Sequence, residues 1–179
     1  MKFYRQEIID IIIASFILSL SFAIVIKNVT LQGILLVSLI VVPSFLIHEL
    51  AHKYFAQKYG YAALFVKFDI GLFIALLSSL FGFIFAAPGA VVIGNVRKKL
   101  HLLYISLAGP VTNILLSLMG LIAYFIFGFG IMRTFAYINA FLAFFNLFPI
   151  PPLDGFKIFS INKIIWIITI LIAAILLFI

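Results

Sequence analysis

Apolar residues run along this chain in long blocks, with the polar positions gathered between them. About 20 predominantly apolar residues suffice to cross a bilayer as a helix. Five blocks reach that length or approach it, near Ile8–Ile26, Ile34–Phe55, Leu102–Phe127, Ile131–Phe148 and Ile164–Ile179. A sixth, Ile70–Ala87, is interrupted by Gly71, Ser78, Ser79 and Gly82 and ends at Pro88-Gly89. Two short runs flank it, Ala90–Ile93, rich in β-branched residues, and Leu64–Phe68, similar in character. Turn formers bracket Ala90–Ile93, and both runs are expected to be strands. Either could offer an edge to an extended peptide. No internal repeat is visible. The last block has no polar residue after Thr169 and reads as packing or anchoring material.

Charge sets the expected orientation. Lys2 and Arg5 precede the first block, which argues for a cytoplasmic N-terminus and a retained signal anchor. Lys53 and Lys58 end the second block, and Arg97, Lys98 and Lys99 form the strongest basic cluster. Both groups lie on the inside only if Ile70–Ala87 crosses an even number of times. That stretch therefore reads as a re-entrant or membrane-dipping hairpin, tolerated where it packs on protein or lines a wet cavity. With this topology ten of the twelve Lys and Arg fall inside, Lys27 and Arg133 being the exceptions.

Composition agrees with the blocks. The chain is 66% hydrophobic and 9% charged, whereas a soluble domain is about a quarter charged. One small core cannot hide that much apolar surface, so the lipid bilayer is the expected solvent. The net charge of +7 belongs to the segments between blocks, and no nucleic-acid partner is expected. The absence of cysteine excludes disulfides and thiolate ligands. The expected fold class is an all-α polytopic membrane protein. It has about five transmembrane helices plus a re-entrant or β-hairpin segment between the second and third spans. Residues 1–179 form one domain, with core motifs in 34–157 and accessory first and last spans.

Chemistry enters at His48-Glu-Leu-Ala-His52, inside the second block. On a helix, positions i and i+4 share a face. Two imidazoles so spaced can grip one metal ion, with the intervening Glu49 beside it as a base. Ionisable groups at membrane depth are costly and usually mark function. A catalytic zinc takes three protein ligands and keeps one open position. Candidates for the third are His101, Asp154, Asp69, Asp10 and Glu7. Asp154 fits best. Pro149, Pro151 and Pro152 end the preceding helix, Gly155 allows a tight bend, and an even number of crossings puts Asp154 on the side of His52. His101 sits in a basic interfacial segment that needs no ligand role. Glu7 and Asp10 are expected to pair with Lys2 or Arg5, and Asp69 reads as a loop charge beside Lys67.

Two amides stand in apolar surroundings, Asn113 in Ala108-Gly-Pro-Val-Thr-Asn113 and Asn146 in Phe145-Asn-Leu-Phe-Pro149. Each could join helices, or hold a peptide backbone or stabilise an oxyanion. Ala108 and Gly109 permit close helix approach.

His48–His52, Ala108–Asn113 and Asn146–Gly155 occur in an order and spacing that resemble the site-2 proteases, intramembrane zinc metalloproteases of peptidase family M50. The resemblance spans roughly residues 34–157. It implies that His48, His52 and Asp154 bind Zn2+, that Glu49 is the general base, and that Asn146 contacts the substrate backbone or reacting carbonyl. Asn113 is a weaker carry-over to substrate binding. It also implies an intramembrane zinc endopeptidase that cleaves in or near transmembrane helices of membrane-protein substrates. Its seat would be a prokaryotic cell membrane, with the active-site edge cytoplasmic. Residues 87–90 resemble a membrane-associated loop that some members carry. Unlike larger members of that family, this sequence is expected to be a minimal catalytic core, without a PDZ-like or nucleotide-sensing domain. The alternatives are a membrane zinc carrier or a non-catalytic scaffold; oligomeric state is not legible.

Overall fold

The computed structural model describes residues 1–85 and 87–179. Among them are seven helices and two strands: α1 (Arg5–Val25), α2 (Leu31–Lys58), β1 (Ala63–Lys67), α3 (Asp69–Ser79), β2 (Gly89–Ile93), α4 (Lys99–Phe127), α5 (Gly130–Asn146), α6 (Asp154–Ile161) and α7 (Lys163–Leu177).

Helices α1, α2 and α4 are long and apolar enough to cross a membrane. Their outward residues are apolar, including Phe16, Leu39 and Met119 at 60%, 66% and 64% exposure. Their buried faces carry polar groups such as Ser44, His48, Asn113 and Ser117. A soluble bundle has the reverse arrangement, so this surface is compatible with lipid as the surrounding solvent. Helix α5 has 17 residues and α7 has 15, about 26 and 22 Å at 1.5 Å per residue. Helix α3 has 11 residues, about 16 Å, well short of a ~30 Å hydrocarbon core. It ends in a turn at Leu80–Gly82, where Gly82 has φ +84°. Ala86, within the stretch expected to be re-entrant, lies outside the described residues.

Local signals explain the element ends. Thr30 caps α2, its Oγ1 accepting from Gly33 N at 3.0 Å; such a cap satisfies an otherwise orphaned donor. Gly128, at φ +72°, closes α4 in the left-handed conformation. Small residues set the spacing of α4 and α5. Ala136, Ala140 and Ala143 share one buried face of α5, and the Gly120 position on α4 lies against Ala136. Close approach of this kind is how membrane helices gain packing energy. One apolar cluster joins α4, α5, α6 and α7 around Leu121, Leu147 and Ile158. A second joins α1, α2, β1 and α3 around Leu18, Phe45, Phe65 and Leu72.

The strands pair antiparallel, with Phe65 opposite Val91. Both N–H groups of that pair point outward. Phe65 N donates to Glu7 Oε1 at 2.9 Å, and Val91 N donates to Glu49 Oε2 at 2.9 Å. Side chains of α1 and α2 cover the outer edge of β1: Glu7, Asp10 on Lys67 N at 3.4 Å, and Gln57 on Ala63 O at 3.2 Å. The outer edge of β2 faces Glu49.

Several expectations change here. Glu7 does not pair with Lys2 or Arg5; it forms an ion pair with Lys53, both side chains fully enclosed. Asp10 takes Gln6 Nε2 at 3.0 Å and Lys67 N instead. Burial makes the difference, because an enclosed carboxylate requires a partner at its own depth. Lys53 is therefore no free orienting charge at the end of the second span. Asp69 is the first residue of α3 and pairs with Lys67.

Candidate metal centre

His48 and His52 project from one face of α2, one turn apart, as the i, i+4 spacing requires. Their Nε2 atoms lie 3.0 Å from each other. Asp154 arrives from the start of α6. Its Oδ2 lies 2.9 Å from His52 Nε2 and 3.4 Å from His48 Nε2. The three ligand atoms lie within 4.8 Å of one another, and all three residues are buried. Tetrahedral zinc with bonds of about 2.1 Å has ligand atoms about 3.4 Å apart, so the three-atom spacing suits one ion.

The backbone around Asp154 explains its placement. A Cβ at Gly155 would overlap the carbonyls of Leu147 and Phe148, so only glycine lets the turn fold this tightly on the end of α5. Trp166 Nε1, from α7, donates to Leu147 O at 2.6 Å and fixes the same carbonyl. Burial pushes the Asp154 carboxyl up, but the imidazoles of His52 and His48 more than offset this. They hold it well below the usual carboxylate range. Lys157 Nζ lies 3.5 Å from its other oxygen, Oδ1.

The second ring nitrogens complete the fit. His52 Nδ1 lies 2.6 Å from Ile105 O. His48 Nδ1 lies 2.5 Å from Asn113 Oδ1. In the neutral imidazoles each Nδ1 then carries the proton, which leaves each Nε2 a lone pair for a metal, the arrangement typical of ligating histidines. On α4, Gly109 faces both imidazoles, and a Cβ there would collide with Nε2 of each. That space is the room an ion needs.

Glu49 is 8% exposed and lines a cavity of about 490 Å³ together with His48, His52, Asp154, Val91 and Asn146. The cavity walls are largely apolar, with Phe22, Phe45 and Phe141 among them. Asn146 donates from Nδ2 to Leu142 O at 2.9 Å. Asn113 is fully enclosed, and its polar partners are His48, Ser44 and Asn139. Both of its N–H donors are taken, and its oxygen faces His48. His101 is not part of the His48, His52 and Asp154 group. Its ring stacks on Tyr59 at 4.3 Å between centroids and its Nδ1 meets Tyr61 OH at 3.0 Å.

The contacts of Ser44, Val91, Asn139 and Trp166, and the pairing of Lys53 with Glu7, were not expected. Asn139 carried a usable signal, being an amide within an apolar helix and two turns before Asn146. Val91 carried none, because its contribution is a backbone N–H.

The chain is 38% identical over 177 residues to the protein named "Putative zinc metalloprotease MJ0611" of Methanocaldococcus jannaschii, covering 92% of this chain and 89% of that protein. It is 32% identical over 152 residues to "Putative zinc metalloprotease YwhC" of Bacillus subtilis, covering 72% of this chain and 68% of that one. No family model matches the sequence. No solved structure matches it either. The chain belongs to the family of these zinc metalloproteases. Its cofactor is zinc, and a His-His-Asp group is available to hold the ion.

Proposed function

We propose that this protein is an intramembrane zinc endopeptidase of the site-2 protease type, cleaving membrane-protein substrates in or near their transmembrane helices. The observation that carries the reading is the convergence of His48, His52 and Asp154 beside Glu49 in a bundle whose outer surface is apolar. In the proposed topology α1, α2, α4, α5 and α7 cross the membrane, and α3 with the β1–β2 hairpin re-enters it. The N-terminus and the metal centre then lie at the cytoplasmic side of a prokaryotic cell membrane.

His48, His52 and Asp154 would hold the zinc. When bound, zinc supplies Lewis acidity that acidifies water and polarises a carbonyl. Glu49 accepts the proton of the attacking water on its carboxylate and later delivers it to the leaving amine. Asn146, on the cavity wall, offers its side-chain amide to the substrate backbone or the developing oxyanion. The outer edge of β2 runs beside Glu49 and is suited to hold an unwound substrate as an added strand. Unwinding is required because a helix hides its carbonyls in internal hydrogen bonds. Apolar cavity walls suit side chains drawn from a membrane segment.

The test is incubation of purified protein with a panel of single-pass membrane segments, with and without a chelator, followed by product masses. Chelator-sensitive products cut within or beside the apolar segment are expected. Glu49→Gln should retain zinc and yield no product. Unchanged cleavage by that variant would remove Glu49 from the mechanism. Zinc flux into sealed vesicles without cleavage would point to a carrier instead.

A further inference from the structure

His52 and His48 reach the same ligand state by different routes. The Nδ1 of His52 faces a backbone carbonyl, Ile105 O, which can only accept. The Nδ1 of His48 faces a side-chain amide, and an amide can present either an acceptor or a donor. If Asn113 turned its NH2 toward His48, Nδ1 would have to accept and the proton would move to Nε2. The ligand lone pair would be lost.

A chain of buried groups prevents this. Ile40 O only accepts, so the Ser44 hydroxyl donates to it at 2.7 Å. Ser44 Oγ is then left to accept from Asn139 Nδ2 at 2.8 Å, and that NH2 also donates to Phe135 O at 2.9 Å. Asn139 must therefore turn its Oδ1 toward Asn113, whose Nδ2 donates to it at 2.8 Å and to Ser44 O at 3.0 Å. Asn113 has only Oδ1 left for His48. Backbone carbonyls anchor the chain, and the Asn113 amide is oriented jointly by Ser44 O and by Asn139 Oδ1. Ser44, Asn113 and Asn139 are all fully enclosed, so water cannot substitute for a missing partner.

We infer that Asn139 and Ser44 are positioning residues that, through the side-chain amide of Asn113, lock His48 in the tautomer whose Nε2 can bind zinc. The chain runs from α5 through α2 and α4 and back to the metal-ligating face of α2, so the packing of α5 and the ligand state of His48 are one property. The inference rests on His48 being a zinc ligand.

The chain has three histidines, so nitrogen-15 spectra of histidine-labelled, metal-free protein resolve each ring. Asn139→Leu should convert His48 from a single Nδ1–H form to a mixture. His52, held by a carbonyl, should stay unchanged. Zinc affinity should fall on the order of tenfold, the lower end of what loss of an outer-shell partner costs. A general loosening of the bundle would instead disturb both rings. Ser44→Ala deletes one hydroxyl and keeps the test open should the larger change prevent folding; several-fold weaker zinc binding is expected. Wild-type zinc affinity with an unchanged His48 ring, in whichever variant folds, overturns the inference. His48→Ala separates the two readings. If it retains zinc, the ligand assignment fails. If it loses zinc while the Asn139 and Ser44 variants do not, only the positioning chain fails.

Discussion

Gly109 faces His48 and His52 with no side chain of its own. Its missing side chain is the space between two imidazoles. Gly109→Ala should leave the helices in place and weaken zinc binding by about tenfold or more, comparable to loss of an outer-shell partner; zinc titration with parallel circular dichroism checks both parts. Lys53 illustrates the opposite kind of residue, one whose loss is felt through charge. Lys53→Met leaves Glu7 enclosed without its counter-ion, which should cost about 3 kcal/mol. The double variant with Glu7→Gln should recover much of that in chemical unfolding. The two sites also differ in how far the sequence disclosed them. His48, Glu49 and His52 are legible because one helical turn brings them together. Asp154 is legible because prolines and a glycine surround it. The Glu7–Lys53 pair joins positions far apart in the chain, and a count of charges treats both as surface groups. Asn113 was visible as a buried amide, but its partner could be named only once α2 and α4 were side by side.

The small elements α6 and β2 place Asp154 and the Val91 N–H against residues of the long helix α2. Helix α6, Asp154–Ile161, was not expected; the proline-rich approach concealed it, and yet it begins on Asp154. The two strands were legible from β-branched runs between turn formers. Their pairing supplies the N–H that meets Glu49, and no sequence pattern reports that contact. Helix boundaries moved by a few residues, as in α5, which ends at Asn146 where the apolar block continues to Phe148. Apolar composition marks what lipid tolerates, whereas hydrogen bonding decides where a helix stops. The first and last helices, expected to be accessory, both support the site. Glu7 of α1 secures β1 and Lys53, and Trp166 of α7 secures the end of α5. Trp166→Phe keeps the ring and removes the bond to Leu147 O. It should cost about 1 kcal/mol of stability and weaken zinc binding several-fold by loosening the turn before Asp154, as isothermal titration with zinc would register.

The molecule as a whole is ordered by a geometric condition: the end of α2 and the start of α6 must lie at one level. Three long apolar helices are compatible with a membrane, and the proposed five-span topology meets that condition with α3 re-entering between α2 and α4. The chain contains no cysteine, so single introduced cysteines report sidedness without background. Lys98→Cys should react with an impermeant thiol reagent only from the cytoplasmic side, and Lys27→Cys and Arg133→Cys only from the other. Labelling of Lys98→Cys from outside would add a crossing at α3 and reject the arrangement. The proposed orientation is read from the charge pattern, whereas helix crossing also depends on tilt and packing, which residue counts do not encode.

Zinc-edge X-ray absorption on the purified protein reads the ligand set itself. Two imidazole nitrogens and one carboxylate oxygen at about 2.0–2.2 Å are expected, with the carboxylate contribution gone in Asp154→Ala. A three-imidazole spectrum, or one that Asp154→Ala leaves unchanged, would contradict the joining of α2 and α6 through one ion.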